Sequence, residues 1–270
     1  MSGGRIAAAF SAARNEGRAA LVAFVEAGDP DGATTARLLP ALFSAGADVV
    51  ELGVPFSDPI ADGPVIQRAS ERALAAGGGA AATLDLVAEY RRTGGAGAIV
   101  LFSYFNPILA LGEKEFASRA AGAGADGVLV TDLPPEEGRP FASSLVRAGV
   151  APVYRLAPSS TPERIRRAVA LSRGFVYLVS RAGVTGVRTE LPTGLPELAG
   201  RVSPLAGRLP VAVGFGISTP EQVAAAARLA DGVVVGSALV AAVERAVAAG
   251  EDPVGAAAAL VSRLATATVR

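Results

Sequence analysis

The chain has 270 residues, half of them hydrophobic (51%), with 25 Lys and Arg balanced by 25 Asp and Glu and with neither histidine nor cysteine. Zero formal charge offers no footprint for nucleic acid or an anionic membrane. The missing Cys and His remove disulfides, thiolate chemistry, the commonest general base and the usual ligands of structural zinc, so no metal site is expected.

The opening residues lead into a helix-like segment over 5–15, interrupted by Arg14 and without the apolar core of a signal peptide. No run of about 18 apolar residues is free of Gly, Pro or charge, so no membrane span is expected and the composition fits a cytoplasmic protein. A first strand is expected over 20–25, ending in Glu26-Ala27-Gly28-Asp29-Pro30, and a helix follows over 32–45. The second strand, 48–52, carries Glu51 as its last or next-to-last residue and runs into a loop carrying Asp58 and Asp62. An extra helix over 65–75 comes next, then Gly77-Gly78-Gly79-Ala80-Ala81, which reads as a flexible surface loop, then a helix over 84–92. Strand three, 98–102, precedes Tyr104-Phe105-Asn106-Pro107 and a helix over 114–123. Strand four, 127–131, precedes Asp132-Leu133-Pro134 and a helix over 135–148. Strand five, 150–156, leads to a helix over 162–171, and strand six, 174–179, leads through the glycine-containing segment 180–186 to a helix over 195–205. Strand seven, 209–213, meets Gly214-Phe215-Gly216-Ile217-Ser218 and a helix over 220–229. Strand eight, 232–235, meets Gly236-Ser237 and a helix over 238–248.

Most of these strands are continuous apolar runs, as in parallel strands covered on both faces. Thr161-Pro162-Glu163 and Thr219-Pro220-Glu221 each place an N-cap, a first-turn proline and an acid at a helix start. Eight strand–helix alternations give an α/β fold, a (β/α)8 TIM barrel with extra helices before strand one and after strand two, in a single domain over 1–270. An open doubly wound sheet allows the same alternation, but the count of eight and the lack of a second-domain signal favour the barrel.

Catalytic groups of such barrels gather at the C-terminal ends of the strands. Glu51 stands out there, because an apolar strand rarely keeps a carboxylate unless it is paired or doing chemistry. Asp62 shares its loop with prolines and a glycine, where Asp is more often a turn former. Two carboxyls in unlike environments can still divide acid and base roles. Tyr177, inside strand six, is either a core aromatic or a hydroxyl reaching the mouth. The glycine turns after strands six, seven and eight read as a phosphate cradle of backbone amides and a helix N-terminus, or as plain tight turns.

The stretch Glu51-Leu52-Gly53-Val54-Pro55-Phe56-Ser57-Asp58-Pro59-Ile60-Ala61-Asp62-Gly63-Pro64 resembles the signature of the tryptophan synthase α-subunit family. The likeness continues through the turns after strands one, three, four, six, seven and eight, over about residues 10–244. The resemblance implies retro-aldol cleavage of indole-3-glycerol phosphate to indole and glyceraldehyde 3-phosphate, a carbon–carbon lyase step in tryptophan biosynthesis. It implies that Glu51 is the acid/base, that Asp62 pairs with the indole N–H, and that Tyr177 lies against the catalytic carboxylate. Phe24, Tyr104 and Phe215 would line the substrate, Thr185 would close over it, and Gly186, Gly214, Gly216, Gly236 and Ser237 would bind its phosphate. No cofactor is expected in this chain; pyridoxal phosphate would belong to a β subunit in an αββα heterotetramer. Loops 55–62 and 180–190 would be the mobile, partner-sensitive elements, with Pro59 and Asn106 at the interface and Asp58 as a loop or partner-sensing residue.

Glu26 departs from the usual Thr of the family and Thr131 from Pro or Ala. Glu26 would either add a carboxylate beside the others or face solvent. Three other readings compete: a stand-alone lyase releasing indole, a catalytically weak barrel that only binds or activates a β subunit, and a sugar-phosphate isomerase or epimerase. The last usually employs His, Lys, Cys or a metal.

Overall fold

A computed structural model describes residues 4–179, 194–214 and 216–270. Eight parallel strands close into a barrel in sequence order, with β1 (Ala20–Glu26) and β8 (Gly232–Val235) paired across the seam. Between them run β2 (Val49–Gly53), β3 (Ala98–Ser103), β4 (Gly127–Val130), β5 (Ala151–Leu156), β6 (Val176–Val179) and β7 (Val211–Gly214). The closed ring is the expected (β/α)8 architecture, and no open sheet edge is left.

The helices form the outer layer. They are α1 (Gly4–Asn15), α2 (Gly32–Ser44), α3 (Pro64–Ala75), α4 (Ala80–Arg92), α5 (Phe105–Leu111), α6 (Glu113–Ala123), α7 (Arg139–Ala148), α8 (Pro162–Leu171), α9 (Leu195–Ala206), α10 (Pro220–Ala227), α11 (Ser237–Ala249) and α12 (Pro253–Ala265). The extra helices before β1 and after β2 stand where expected, as α1 and α3. Thr161 and Thr219 cap α8 and α10 by accepting the N–H of Arg164 and Gln222, which is the structure the Thr-Pro-Glu spacing predicts.

Four local readings change. The glycine run is shorter than the five-residue loop expected: Gly78 donates to the Ala73 carbonyl at 2.7 Å, a Cβ there would strike that same oxygen, and Ala80 already opens α4. The helix after β4 begins at Arg139 rather than 135, because Glu137 and Gly138 both donate to the Pro134 carbonyl and close a turn first. Two helices are additional. Phe105–Leu111 is a short helix whose first N–H reaches the Asp132 carboxylate at 2.7 Å. Pro253–Ala265 is capped by Asp252, which accepts the N–H groups of Val254 and Gly255.

Strand alternation divides the core in two. Leu21, Val25, Leu52, Ile99 and Leu101 face outward against the helices. Val22, Val49, Val100, Leu129, Val153 and Ala212 face inward and pack with Ile6 and Phe10 of α1, which plugs the barrel floor. Gly232 makes room for that plug, since a Cβ there would lie 2.7 Å from the Phe10 ring. The charges near the floor are paired: buried Asp126 accepts from Arg91 at 2.7 Å and Arg5 at 3.0 Å, and Arg18 grips Asp48 with both amino groups. Among the described residues, no helix is long and apolar enough to cross a membrane.

Candidate active site

Val49, Glu51 and Gly53 share the inward face of β2, in register with Val22, Phe24 and Glu26 of β1. Glu51 lies two residues before the strand ends at Gly53, one position deeper than the last or next-to-last place expected from the sequence. It is only 1% exposed, and its Oε1 has no hydrogen-bond partner among the described residues. Burial pushes its carboxyl up to about 8, with the Arg155 charge pulling the other way. A carboxyl so placed holds its proton near neutrality yet can release it to a base or a carbon nucleophile.

Beside Glu51, on the neighbouring strand, stands an apolar wall. Phe24 meets Phe102 of β3 edge-on, with centroids 5.1 Å apart, and packs with Ala69 of α3 and Val240 of α11. Tyr177 stands on β6 in register with Arg155 of β5 and Ala212 of β7. Burial first, and the Glu51 charge second, raise its hydroxyl well above the ordinary phenol range, so it stays protonated.

Asp62 reaches the mouth from the loop between β2 and α3. Tyr104 holds it there: the Tyr104 hydroxyl donates to Asp62 Oδ2 at 2.8 Å and accepts the Ala61 N–H at 2.9 Å. The Phe56 and Tyr104 rings lie 5.4 Å apart and steady the same loop. Burial raises the Asp62 carboxyl, while the Tyr104 hydrogen bond and the Arg155 charge oppose the rise. Tyr104 therefore orients a carboxylate, a more specific task than lining the substrate. Asp58 is exposed, and its carboxylate accepts the adjacent Ser57 hydroxyl.

The described glycine turns follow the neighbouring strands β7 and β8, and Gly236 lies against Phe24 of β1. Gly214 closes β7, Gly216 takes a left-handed φ of 73°, and Gly236 precedes the first turn of α11 with Ser237 exposed at its start. Gly214 has to lack a side chain, because a Cβ would collide with the Tyr177 hydroxyl. The first amides of α11 have no acceptor within their own helix and carry its positive dipole end, as an anion requires. Thr185, Gly186 and Phe215 lie outside the described residues.

Glu26 faces inward and not solvent. It is 4% exposed, accepts the Ser70 hydroxyl at 2.8 Å, and lies over Gly53, where any Cβ would clash with it. Burial lifts it to about 8, with further upward pushes from Asp62 and Asp29. Thr131 is half-buried, and its N–H donates to the Ser103 carbonyl at 2.8 Å. Sequence reasoning missed Phe102 and Arg155. Arg155 donates to the Thr131 carbonyl at 2.6 Å and acts electrostatically on Glu51, Asp62, Tyr104 and Tyr177. Its signal was available, since it is a charge inside an apolar strand, as Glu51 is.

Comparison with known proteins gives the family of the chain. The family model described as tryptophan synthase alpha chain matches residues 10–269. The tryptophan synthase alpha chain of Geobacter sulfurreducens is 51% identical over 245 residues, covering 91% of this chain and 92% of that protein. The Methylococcus capsulatus protein of the same name is 49% identical, covering 87% and 88%. Among solved structures, tryptophan synthase subunit alpha from Legionella pneumophila superposes with a TM-score of 0.88 at 38% identity, over 99% of this chain and 98% of that one. A chain of tryptophan synthase from Mycobacterium tuberculosis gives 0.89 at 38% identity, with 98% of each chain covered. With a match running through the barrel from α1 to the residues beyond α12, the chain belongs to the tryptophan synthase alpha chain family.

Proposed function

We propose that the chain cleaves indole-3-glycerol phosphate to indole and glyceraldehyde 3-phosphate, as the α subunit of a tryptophan synthase. The observation that carries this reading is the buried Glu51 carboxyl, with an oxygen that has no partner among the described residues, in register with Phe24 of the Phe24–Phe102 aromatic pair. The reaction starts with Glu51 protonated, as its raised pKa favours. Its proton passes to indole C3, and positive charge develops over the ring nitrogen. Asp62 accepts the indole N–H and stabilises that charge, and Tyr104 keeps Asp62 aimed. The Glu51 carboxylate then takes the proton of the side-chain hydroxyl. The oxygen keeps the O–H electron pair and forms the aldehyde. The bond to C3 breaks, its electrons neutralise the ring, and Glu51 is again protonated. Tyr177 bounds the carboxylate on the β6 side, and on family resemblance Thr185 and Phe215 are assigned to substrate enclosure and Gly186 to the phosphate. Amides at Gly214, Gly216 and Gly236 and the Ser237 hydroxyl take the phosphate. Every proton is moved by carboxyls, so the step asks for no cofactor in this chain.

Family membership implies a tryptophan synthase complex. We take the partner to be a pyridoxal-phosphate β subunit in an αββα assembly, working in the cytoplasm, with residues 1–270 as one domain. Ile60 (86% exposed) and Leu109 (51% exposed) support a docking face beside Pro59 and Asn106, since both are apolar and lie on elements joined through Tyr104. The test is indole release by the purified chain, alone and with a β subunit. Glu51→Gln and Asp62→Asn are each expected to lower kcat by 100-fold or more, about 3 kcal/mol of transition-state stabilisation, with unchanged circular dichroism. Near-parental cleavage by either variant would remove its assigned role, and equal turnover with and without the β subunit would favour a free-standing lyase.

A further inference from the structure

The inward strand positions at the mouth carry an unbalanced set of charges. Glu26 comes from β1, Glu51 from β2, and Asp62 from the loop behind β2. Among the described residues, Arg155 is the one basic side chain at an inward-facing strand position. It is half-buried on a strand whose other inward residues, Ala151 and Val153, belong to the apolar barrel interior. Placing a guanidinium there costs desolvation, which a barrel built only for packing would avoid. One N–H is spent on the Thr131 carbonyl, which pins the group against the end of β4. The remaining N–H groups have no protein acceptor among the described residues.

We propose that Arg155 is a positioning residue of this site: pinned to the Thr131 carbonyl, its guanidinium supplies the positive charge that faces Glu51 and Asp62 and stabilises the carboxylate that Glu51 becomes midway through the reaction. The inference rests on the lyase reading above and deepens it. A carboxyl buried with an unpartnered oxygen is a weak acid, and an acid that is too weak protonates carbon slowly. A nearby cation restores acid strength without taking up the carboxyl's own hydrogen-bonding oxygen. Asp62 compensates the charge on the ring, and Arg155 compensates the carboxylates.

The titratable and charged groups set around the mouth are Glu26 of β1, Asp62 and Tyr104 of the loops after β2 and β3, Arg155 of β5 and Tyr177 of β6, and the charge that acts on Glu51 is that of Arg155. Of these only Arg155 is cationic, so its loss has one sign: Glu51 binds its proton more tightly. The carboxyl signal of Glu51, in protein labelled with 13C at the glutamate side-chain carboxyl and assigned by its loss in Glu51→Gln, reports this directly. In Arg155→Met the Glu51 titration is expected to move to higher pH by about half a unit or more, and Arg155→Lys to reverse most of that shift. The alkaline limb of kcat/KM for indole-3-glycerol phosphate, where protonated Glu51 is lost, is expected to move the same way.

Arg155→Gln, which keeps a donor for Thr131 but no charge, separates the charge from the strand contact; it is expected to behave like Met. A Glu51 titration identical in parent and folded Met and Gln variants overturns the proposal, as does a shift that Lys fails to reverse. A parent chain that releases no indole with its β subunit removes the reaction and the role together. An active parent with an unmoved limb removes the role of Arg155 alone.

Discussion

At the scale of single residues, the mouth of the barrel stores acidity that a water-exposed protein surface would not keep. Glu26 and Glu51 both hold their protons up to about 8, against an ordinary value of 4.5, because burial disfavours the charged form. As pH rises from 4.5 toward 8, the unfolded chain releases these protons while the native state retains them. Stability therefore falls across that window and levels off above it. Glu26→Gln removes one of the two titrations and leaves an oxygen for the Ser70 hydroxyl. We expect its melting temperature to depend less on pH than the parent's, with a gain on the order of 1–3 kcal/mol at pH 8 and little at pH 5, measured by thermal denaturation in matched buffers. Glu51 was legible in the sequence because one charge interrupts an apolar run. Arg155 carries the same signal between Tyr154 and Leu156, yet its meaning depends on which way the strand faces, and that is set by register across the barrel. Asp62 was legible only through its surrounding motif, since the Tyr104 bond that turns a loop Asp into a site residue spans 42 positions.

Among elements, α3 does the most to hold the site. Arg72 on α3 grips Asp29 with two bonds, at 2.7 and 2.9 Å, and reaches Glu244 of α11 at 2.8 Å. Arg68, one turn earlier, takes both oxygens of Glu244. Ser70, between them, holds Glu26. One helix thus ties the loop after β1, the β1 carboxyl and α11, whose N-terminus faces the phosphate side. Asp29 is buried, so taking away its cation is more damaging than taking away the pair. Arg72→Met is expected to cost about 3–5 kcal/mol by urea denaturation, and Asp29→Asn combined with it to recover part of that loss. A single variant with parental stability would show that solvent reaches Asp29 after all. The chain announces helices through Thr-Pro-Glu starts. Phe105–Leu111 and Pro253–Ala265 escaped notice for different reasons. The first begins on an Asp132 bond from a distant loop. The second carries its signal in Asp252-Pro253, at the head of an alanine-rich run with a weak amphipathic pattern.

Across the whole molecule, the two ends of the barrel do separate work. Acids and site aromatics gather at the C-terminal mouth, while the inward residues at the floor are apolar and sealed by α1, with the charges near the floor paired. Phe10→Ala should open a cavity among Phe175, Val22 and their neighbours and cost about 3–5 kcal/mol, read from chemical denaturation. The kcat/KM for indole-3-glycerol phosphate at 20 °C should stay near the parental value, because the Phe175 ring stands between Phe10 and Tyr177, the site residue of the same cluster. A large fall in kcat/KM with intact folding would contradict that separation. The alternation of eight strands and their helices was legible because each strand is an apolar run covered on both faces. Closure was not, because nothing local in residues 20–26 says that they pair with residues 232–235. That pairing joins segments from opposite ends of the chain. It is reinforced outside the sheet, where Ala19 donates to the Thr268 carbonyl and Arg270 to the Gly17 carbonyl. In kinetic terms the seam is the longest-range strand pairing of the fold, and the entropy of closing so large a loop is met only after the intervening strands are docked. The ring is therefore expected to shut last, leaving β1 and β8 as open edges until the final step of folding.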